Sequence, residues 1–421
     1  MTGHQLPPHW TTVELASLRA EGDHTFVGGP FGSDLTQRDY VAEPGVPVIR
    51  GTNLGGSQSH FVDDGFVYVT ERKAETLSRN MAFPGDLVFT QRGTLGQVAV
   101  VPKKARFRRY VISQSQMKLT ADPTKADSGF LYHYFRTPQT LNRLLSRTQA
   151  TGVPHINLGI LRRFPVALPP LAEQRRIAAV LDRVETLRAW RRAALAQLDS
   201  LAESIFLDMF TRDLDGPAVD LSTGRLGLRK DWAWEFLTDA ARLATGHTPD
   251  RERKDYWNGD IPWISLTDIR DLDGTVATET TQSVTPLGIE NSSSVLLPSG
   301  TVCFSRTASV GFVTVMGREM ATSQDFVNWI CGPRLDPTYL MYALIAARRR
   351  LRALSSGSTH KTIYVRVVEQ FRVLIPPMEL QLTFARRIAG VERLKTAQRA
   401  SITKLDDLFV SLQHRAFSGQ M

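Results

Sequence analysis

Two stretches of this chain carry apolar residues in strict alternation of four and three. The first places Ile177, Leu181, Val184, Arg188, Arg191, Leu195, Leu198, Ala202, Ile205 and Met209 along one edge. Adding 207 to each number gives the second: Phe384, Ile388, Val391, Lys395, Gln398, Ile402, Leu405, Phe409, Leu412 and Ala416. A period of 3.5 keeps one edge of a helix turned toward a partner. The pattern therefore predicts two coiled-coil helices, from about 172 to 210 and from about 379 to 417. At 1.5 Å per residue, ~38 residues reach roughly 57 Å, too long for a cap on one small domain.

Both seams turn polar at the same two central places, at Arg188 and Arg191 and at Lys395 and Gln398. The simpler expectation is that Leu187 with Trp190, and Leu394 with Ala397, take over the seam while the polar side chains reach out to water. The alternative is that the break fixes an antiparallel register, since the two centres then coincide.

Ahead of each helix lie about 160 residues of short β-rich runs with turn signals. Val46-Pro-Val-Ile-Arg50, Asp86-Leu-Val-Phe-Thr90 and Gln97-Val-Ala-Val-Val101 read as strands bounded by Gly and Pro. Leu131 to Arg147 reads as one helix. A Pro-Pro pair then stops the last strand and sets up each long helix.

These runs repeat as well. Gly45-Val-Pro-Val-Ile-Arg-Gly-Thr-Asn-Leu54 aligns with Asp260-Ile-Pro-Trp-Ile-Ser-Leu-Thr-Asp-Ile269 at a shift of 215. The same shift of 215 sets Gly85–Gly96 on Gly300–Gly311. Ser113-Gln114 aligns with Ser323-Gln324 at 210, and Phe164–Pro170 with Phe371–Pro377 at 207. Four matches in one order, with the shift shrinking in small steps, make an internal duplication with altered loop lengths. The expected fold is α+β: two β-rich α/β domains separated by two long antiparallel coiled-coil helices, as a pseudo-twofold repeat. The segments are 1–168, 169–212, 213–375 and 376–421.

Charge gives the direction for function. Lys and Arg number 51 against 42 acidic residues, a formal charge of +9. That excess suits a polyanion, most often nucleic acid, although an unspecialised basic surface has the same total. Two cysteines, Cys303 and Cys331, support neither a disulfide framework nor a Cys-rich zinc site. With no signal-peptide pattern and no apolar run of spanning length, a cytoplasmic protein with no membrane contact is expected.

The chain resembles the DNA-specificity subunit of type I restriction-modification systems over essentially its whole length. The most specific stretch is Thr245-Gly-His-Thr-Pro249 followed by Tyr256-Trp-Asn-Gly-Asp-Ile-Pro-Trp-Ile-Ser265, similar to the opening of a target-recognition domain. Leu168-Pro-Pro-Leu-Ala-Glu-Gln-Arg-Arg-Ile177 and Ile375-Pro-Pro-Met-Glu-Leu-Gln381 are similar to the start of the family's helical regions. The first copy departs from the pattern, with Gly28-Gly-Pro-Phe-Gly-Ser33 where a Gly-Thr-Pro element would stand. The second helix start has Leu380-Gln381 in place of a Glu-Gln pair. The resemblance implies a non-catalytic subunit that reads one bipartite site on double-stranded DNA, one domain per half. It implies two methylation subunits, which use S-adenosylmethionine, and restriction subunits, which use ATP and Mg. The chain itself would bind no cofactor.

No phosphate loop of the Gly-x-x-x-x-Gly-Lys-Ser/Thr form exists, and no Pro-Pro pair sits in an adenine-methyltransferase setting. Pro249-Asp-Arg-Glu-Arg-Lys254 has the letters of a nuclease site, but Asp250 and Glu252 lie on one segment, so it reads as a solvated loop. Base reading needs Arg, Asn or Gln that reach groove edges. Turn-rich repeated positions offer Gln91, Arg92, Thr94, Gln114 and Gln116 in the first copy, and Arg306, Thr307, Ser309 and Gln324 in the second. A third repeated segment pairs His155 with His360, extended by Lys361, where small residues permit close approach to phosphate. Structural support is the competing role for each of these residues, and a coiled-coil scaffold, a stand-alone DNA-binding protein or an unrecognised enzyme are the competing functions.

Overall fold

The computed structural model describes residues 7–42, 45–55, 61–147, 155–210, 219–220, 232–357 and 361–421. The chain divides into two compact units. Unit 1 comprises Met1–Ala194 and Gln398–Met421, and unit 2 comprises Leu195–Ala397. The division falls inside both long helices, which run over Leu171–Phe210 and Met378–Phe417, so each unit holds a portion of both. No helix among the described residues is long and apolar enough to cross a membrane.

Unit 1 has a four-stranded antiparallel sheet in the order Phe26–Gly28, Gln116–Leu119, Leu87–Thr90, Val98–Val100. A five-stranded sheet beside it contains Val46–Ile49 parallel to Tyr110–Ile112. Phe26, Leu87, Phe89, Met117 and Leu119 of the four-stranded sheet join Phe130, Phe135 and Phe164 in one core. Ile177, Leu181 and Val184 of the first long helix close that core together with Phe409 and Ala416 of the second.

Unit 2 repeats the plan. Its five-stranded sheet runs Ala241–Thr245, Phe326–Cys331, Val302–Ser305, Val313–Met316, Val276–Ala277. The three central strands stand at the positions the duplication assigns to 116–119, 87–90 and 98–100. Here Phe206 and Phe210 of the first long helix, each one place past the seam positions Ile205 and Met209, are buried. Phe206, Phe210 and Phe384 pack with Tyr339 and Tyr342 of the Pro337–Ala353 helix, and Phe210 lies 4.8 Å from Tyr339, ring centre to ring centre.

One buried glutamine per unit joins sheet domain to long helix. Gln174 donates to Pro169 O at 2.9 Å and Lys125 O at 3.2 Å, and accepts from Asp127 N at 2.9 Å. Gln381 donates to Pro376 O at 2.8 Å and Arg334 O at 3.0 Å, and accepts from Asp336 N at 2.8 Å. Asp127 and Asp336 are the caps of the helices Ser128–Phe135 and Pro337–Ala353. The glutamine is thus the part of the helix-start motif that the second copy keeps, and the lost Glu before it costs no contact of this hub. Glu173 instead meets His9 at 3.1 Å on the surface.

Two expectations are corrected. The single helix over 131–147 is two helices, Ser128–Phe135 and Pro138–Leu145. Pro138 has no N–H for residue 134 and pushes Thr137 into an extended conformation (φ −67°, ψ 140°), from which Thr137 caps the second helix. The second correction concerns the polar break. Trp190 is 67% exposed, Leu394 55% and Leu187 37%, whereas Lys395 is 6% exposed, so the apolar neighbours do not replace the polar seam residues.

The polar residues meet partners across the helix pair instead. In unit 1, Arg188 and Arg192 both bond Asp406, and Arg191 donates to Gln398 at 3.0 Å, one break residue to another. Arg188 also lies over the Phe409 ring at 4.7 Å. In unit 2, Lys395 Nζ lies 2.8 Å from both Asp199 and Glu392. Burial alone would lower the Lys395 ammonium, but its hydrogen bonds to Asp199 and Glu392 outweigh burial and hold it above its usual value. Within unit 1, Arg176 reaches Met421 while Arg192 reaches Asp406, so the helices run antiparallel. The same sense holds in unit 2, where Asp199 meets Lys395 and Phe206 meets Phe384.

Candidate nucleic-acid interface

Three separated segments converge in each unit, and the same backbone hydrogen bonds join them both times. In unit 1, Gln91 N donates to Ser115 O at 2.7 Å, and Ile156 N donates to Gln91 O at 3.1 Å. In unit 2, Arg306 N donates to Asp325 O at 2.8 Å, and Ile363 N donates to Arg306 O at 2.8 Å. Two further pairs match: Thr90 N to Gln97 O with Ser305 N to Phe312 O, and Ser113 N to Ile49 O with Ser323 N to Ile264 O. The frame brings the loop after 90, the turn at 113–116 and the segment at 155–156 to one place in unit 1. It does the same for the loop after 305, the turn at 323–325 and 361–363 in unit 2.

Backbone conformation in the first loop explains its residues. Gly93 has φ +97°, and its repeat counterpart Ala308 has φ +55°. Glycine adopts this region freely, whereas a Cβ there costs about 1–2 kcal/mol. A second glycine pair acts by proximity. A Cβ on Gly29 would stand 2.1 Å from Ser113 O, and one on Gly246 would stand 2.2 Å from Thr322 O. The Gly28–Ser33 and Thr245–Pro249 loops therefore occupy equivalent places, each laid against the turn that carries Gln114 or Gln324.

The side chains on this shared frame fall into distinct groups. Arg92, Thr94, Gln324 and Lys361 are exposed, and Gln91, His155, Arg306 and Thr307 are half-buried. Gln116 is fully buried and accepts from the Ser113 hydroxyl, while Ser309 is buried and accepts from Arg270 at 3.2 Å. Gln116 and Ser309 thus brace the turns from within. Arg306 spends a guanidinium nitrogen on Gln324 O at 2.8 Å. Gln114 donates through Nε2 to Gly32 O at 3.0 Å and to Leu35 O. Thr248 donates to Gln324 Oε1 at 2.6 Å. His360 lies outside the described residues.

Behind the turn in unit 2, Asp268 accepts from Ser265 N at 3.0 Å, the Ser265 hydroxyl at 2.6 Å and Thr281 N at 2.8 Å. Burial alone would raise the Asp268 carboxyl, but the hydrogen bonds from Ser265 and Thr281 outweigh it and hold the carboxyl below its ordinary value. Asn53 takes the same place in unit 1, accepting from Arg50 N at 3.0 Å and donating to Val62 O and Asp64 O.

The remaining candidates separate from this cluster. Asp250 and Glu252 lie on an exposed loop, Asp250 capping Glu252 N at 2.9 Å, and the described residues hold no group of three potential metal ligands. Trp263 is buried and Trp257 stacks edge-on to it at 5.1 Å, a packing role. Sequence reasoning passed over Thr248, Arg270 and the two loop glycines as contact residues. Thr248 and Gly246 were visible within the Thr245–Pro249 motif, but nothing in the motif alone shows which turn it lies against.

A family model described as the type I restriction modification DNA specificity domain matches residues 37–198 and 229–404, and the chain belongs to that family. It is 27% identical over 158 residues to the type I restriction enzyme MjaIX specificity subunit of Methanocaldococcus jannaschii, covering 37% of each chain. The putative type I restriction enzyme MjaX specificity subunit of the same organism is 19% identical over 427 residues, with 99% of this chain and 95% of that one covered. The alignments to MjaIX and to the HindI specificity subunit of Haemophilus influenzae span only 37% and 42% of those relatives. The fold is shared with the S subunit of a type I system from M. genitalium, at TM-score 0.60, 13% identity and 99% coverage of both chains. It is shared too with a chain from a solved type I R-M system described in terms of complex assembly and conformational transition, at TM-score 0.57, 20% identity, and 99% and 100% coverage.

Proposed function

We propose that this chain is the DNA-reading specificity subunit of a type I restriction-modification complex and carries no catalytic step itself. Each recognition domain, 1–168 and 213–375, reads one half of an asymmetric bipartite site on double-stranded DNA. The helical segments 169–212 and 376–421 recruit two methylation subunits and the restriction subunits, in the cytoplasm. S-adenosylmethionine belongs to the methylation partners, and ATP with Mg to the restriction partners.

One observation carries the reading. The same backbone frame gathers three segments twice, yet the side chains on it differ, as two unlike half-sites require. Arg92 and Thr94 are exposed on one frame, and Gln324 and Lys361 on the other. The formal charge of +9 suits a polyanionic duplex.

The test is selection from a randomised duplex pool by the full chain with its methylation partners. A site in two separated parts is expected, with log K falling by about 0.9 per contacted phosphate for each unit of log salt. Replacing residues 1–168 by those of a relative is expected to change one part alone. Change in both parts, or no enrichment at any salt, overturns the reading.

A further inference from the structure

Gln114 and Gln324 stand at one repeat position, 210 apart, and their amides are committed in opposite senses. A side-chain amide has two N–H donors on one atom and two acceptor lone pairs on the other. Gln114 uses Nε2 twice, on Gly32 O at 3.0 Å and on Leu35 O. What it has left toward a ligand, among the described residues, is its carbonyl oxygen. Gln324 engages its oxygen, which accepts from the Thr248 hydroxyl at 2.6 Å. Among the described residues, both hydrogens on its Nε2 remain. An unheld amide can turn over and offer either atom, so the neighbouring loop decides which is presented.

The two loops that do this differ in sequence between the copies, Gly28-Gly-Pro-Phe-Gly-Ser33 against Thr245-Gly-His-Thr-Pro249. In unit 1 the loop offers two backbone carbonyls, both acceptors, so it pulls the NH2 inward. In unit 2 the Thr248 hydroxyl donates to Gln324 Oε1, and in this arrangement the oxygen faces the loop and the NH2 faces away from it. Gly29 and Gly246 let each loop approach the turn closely enough to act. In unit 2 the peptide of residue 324 is fixed as well, by Arg306 on its carbonyl at 2.8 Å.

We propose that Gln114 and Gln324 are a pair of specificity-determining residues of opposite polarity, with Thr248 as the positioning residue for the second. This rests on the DNA-reading function above. Gln114 accepts from an exocyclic amine, adenine N6 or cytosine N4, in one half-site. Gln324 donates to an acceptor edge, a purine N7, guanine O6 or thymine O4, in the other. The duplication thus supplies one glutamine twice, and the loop beside it converts an acceptor into a donor.

The experiment compares the full chain with its Thr248→Val, Thr248→Ser and Gln324→Ala variants on the randomised duplex pool, then on single-base-pair variants of the enriched site. Thr248→Val keeps the shape and removes the hydroxyl. It is expected to lower discrimination about tenfold at one base pair of one half-site, with Thr248→Ser retaining it and Gln324→Ala losing it at that same pair. Replacing the purine there by its 7-deaza analogue, or guanine by a base lacking O6, is expected to reduce binding by the wild type but not by Gln324→Ala. Unchanged preference at every base pair in Thr248→Val or in Gln324→Ala overturns the proposal. So does an equal loss along the whole half-site in Thr248→Val and Thr248→Ser, which makes Thr248 a loop support. A wild-type chain that enriches nothing defeats the DNA-reading function itself, whereas wild-type enrichment with an indifferent Thr248→Val defeats the polarity assignment alone.

Discussion

Units 1 and 2 share a backbone and differ in what is mounted on it. Asn53 and Asp268 sit at one repeat position and take the same bond, from Arg50 N and Ser265 N. Asn53 then donates to two carbonyls, while Asp268, with no hydrogen to give, accepts from Thr281 N. The helical seams differ likewise. Unit 1 closes on Ile177, Leu181 and Val184, and unit 2 on Phe384, Ile388 and Val391, so an aromatic ring stands where unit 1 has an isoleucine. Where main-chain bonds carry a junction, side chains around it can change without altering its geometry.

The largest way to break the equivalence is at one seam position, Ile177 and Phe384. Phe384→Ala is expected to destabilise unit 2 by about 3–5 kcal/mol, and Ile177→Ala to destabilise unit 1 by about 2–5 kcal/mol. Hydrogen exchange resolved along the chain reads this as faster exchange in one unit at a time. Simultaneous loosening of both units by either variant would deny that they are separate packing units.

Next in size are the glutamine hubs. Gln174→Ala and Gln381→Ala each leave buried polar groups unpaired and are expected to cost about 1–3 kcal/mol, nearly equally. Exchange at the helix caps Asp127 and Asp336 is the readout. A cost confined to Gln174→Ala would mean that the altered motif at Leu380-Gln381 had weakened the second hub.

Acid separates the units more gently. Because the Asp268 carboxyl is held below its ordinary value, its contribution is present above the unfolded value of 3.8 and is lost as pH falls through the lower folded value. Residues 265–281 of unit 2 are expected to loosen below about pH 4, whereas the equivalent turn of unit 1, built on the uncharged Asn53, is not. Asp268→Asn should remove that acid step. An unaltered acid profile would place the sensitivity elsewhere. The smallest effect is at the loop. Gly93→Ala is expected to cost about 1 kcal/mol, and Ala308→Gly to be neutral or mildly stabilising, by thermal unfolding.

Much of this was readable in advance. The helices expected from about 172 to 210 and 379 to 417 are Leu171–Phe210 and Met378–Phe417, because a 4-3 period sustained over many turns is a local signal. The segments of the site were also legible as repeats, although their convergence was not. The helix break at Thr137 was not, since helical spacing on both sides of Pro138 masked it. Nor was the burial of Gln116 and Ser309, whose partners Ser113 and Arg270 became visible only in the fold.

Sequence alone determined the duplication, the two long amphipathic helices and the basic charge, since each is a property of spacing or composition. Tertiary structure decided the choices between partners. Arg188 and Lys395 stay in their seams because Asp406 and Asp199, 218 and 196 residues away, come across to meet them. A long cationic side chain can reach water or a carboxylate equally well until the second helix is in place. The same holds for the amides of Gln114 and Gln324, whose direction is set by loops brought beside them from 79 and 76 residues away.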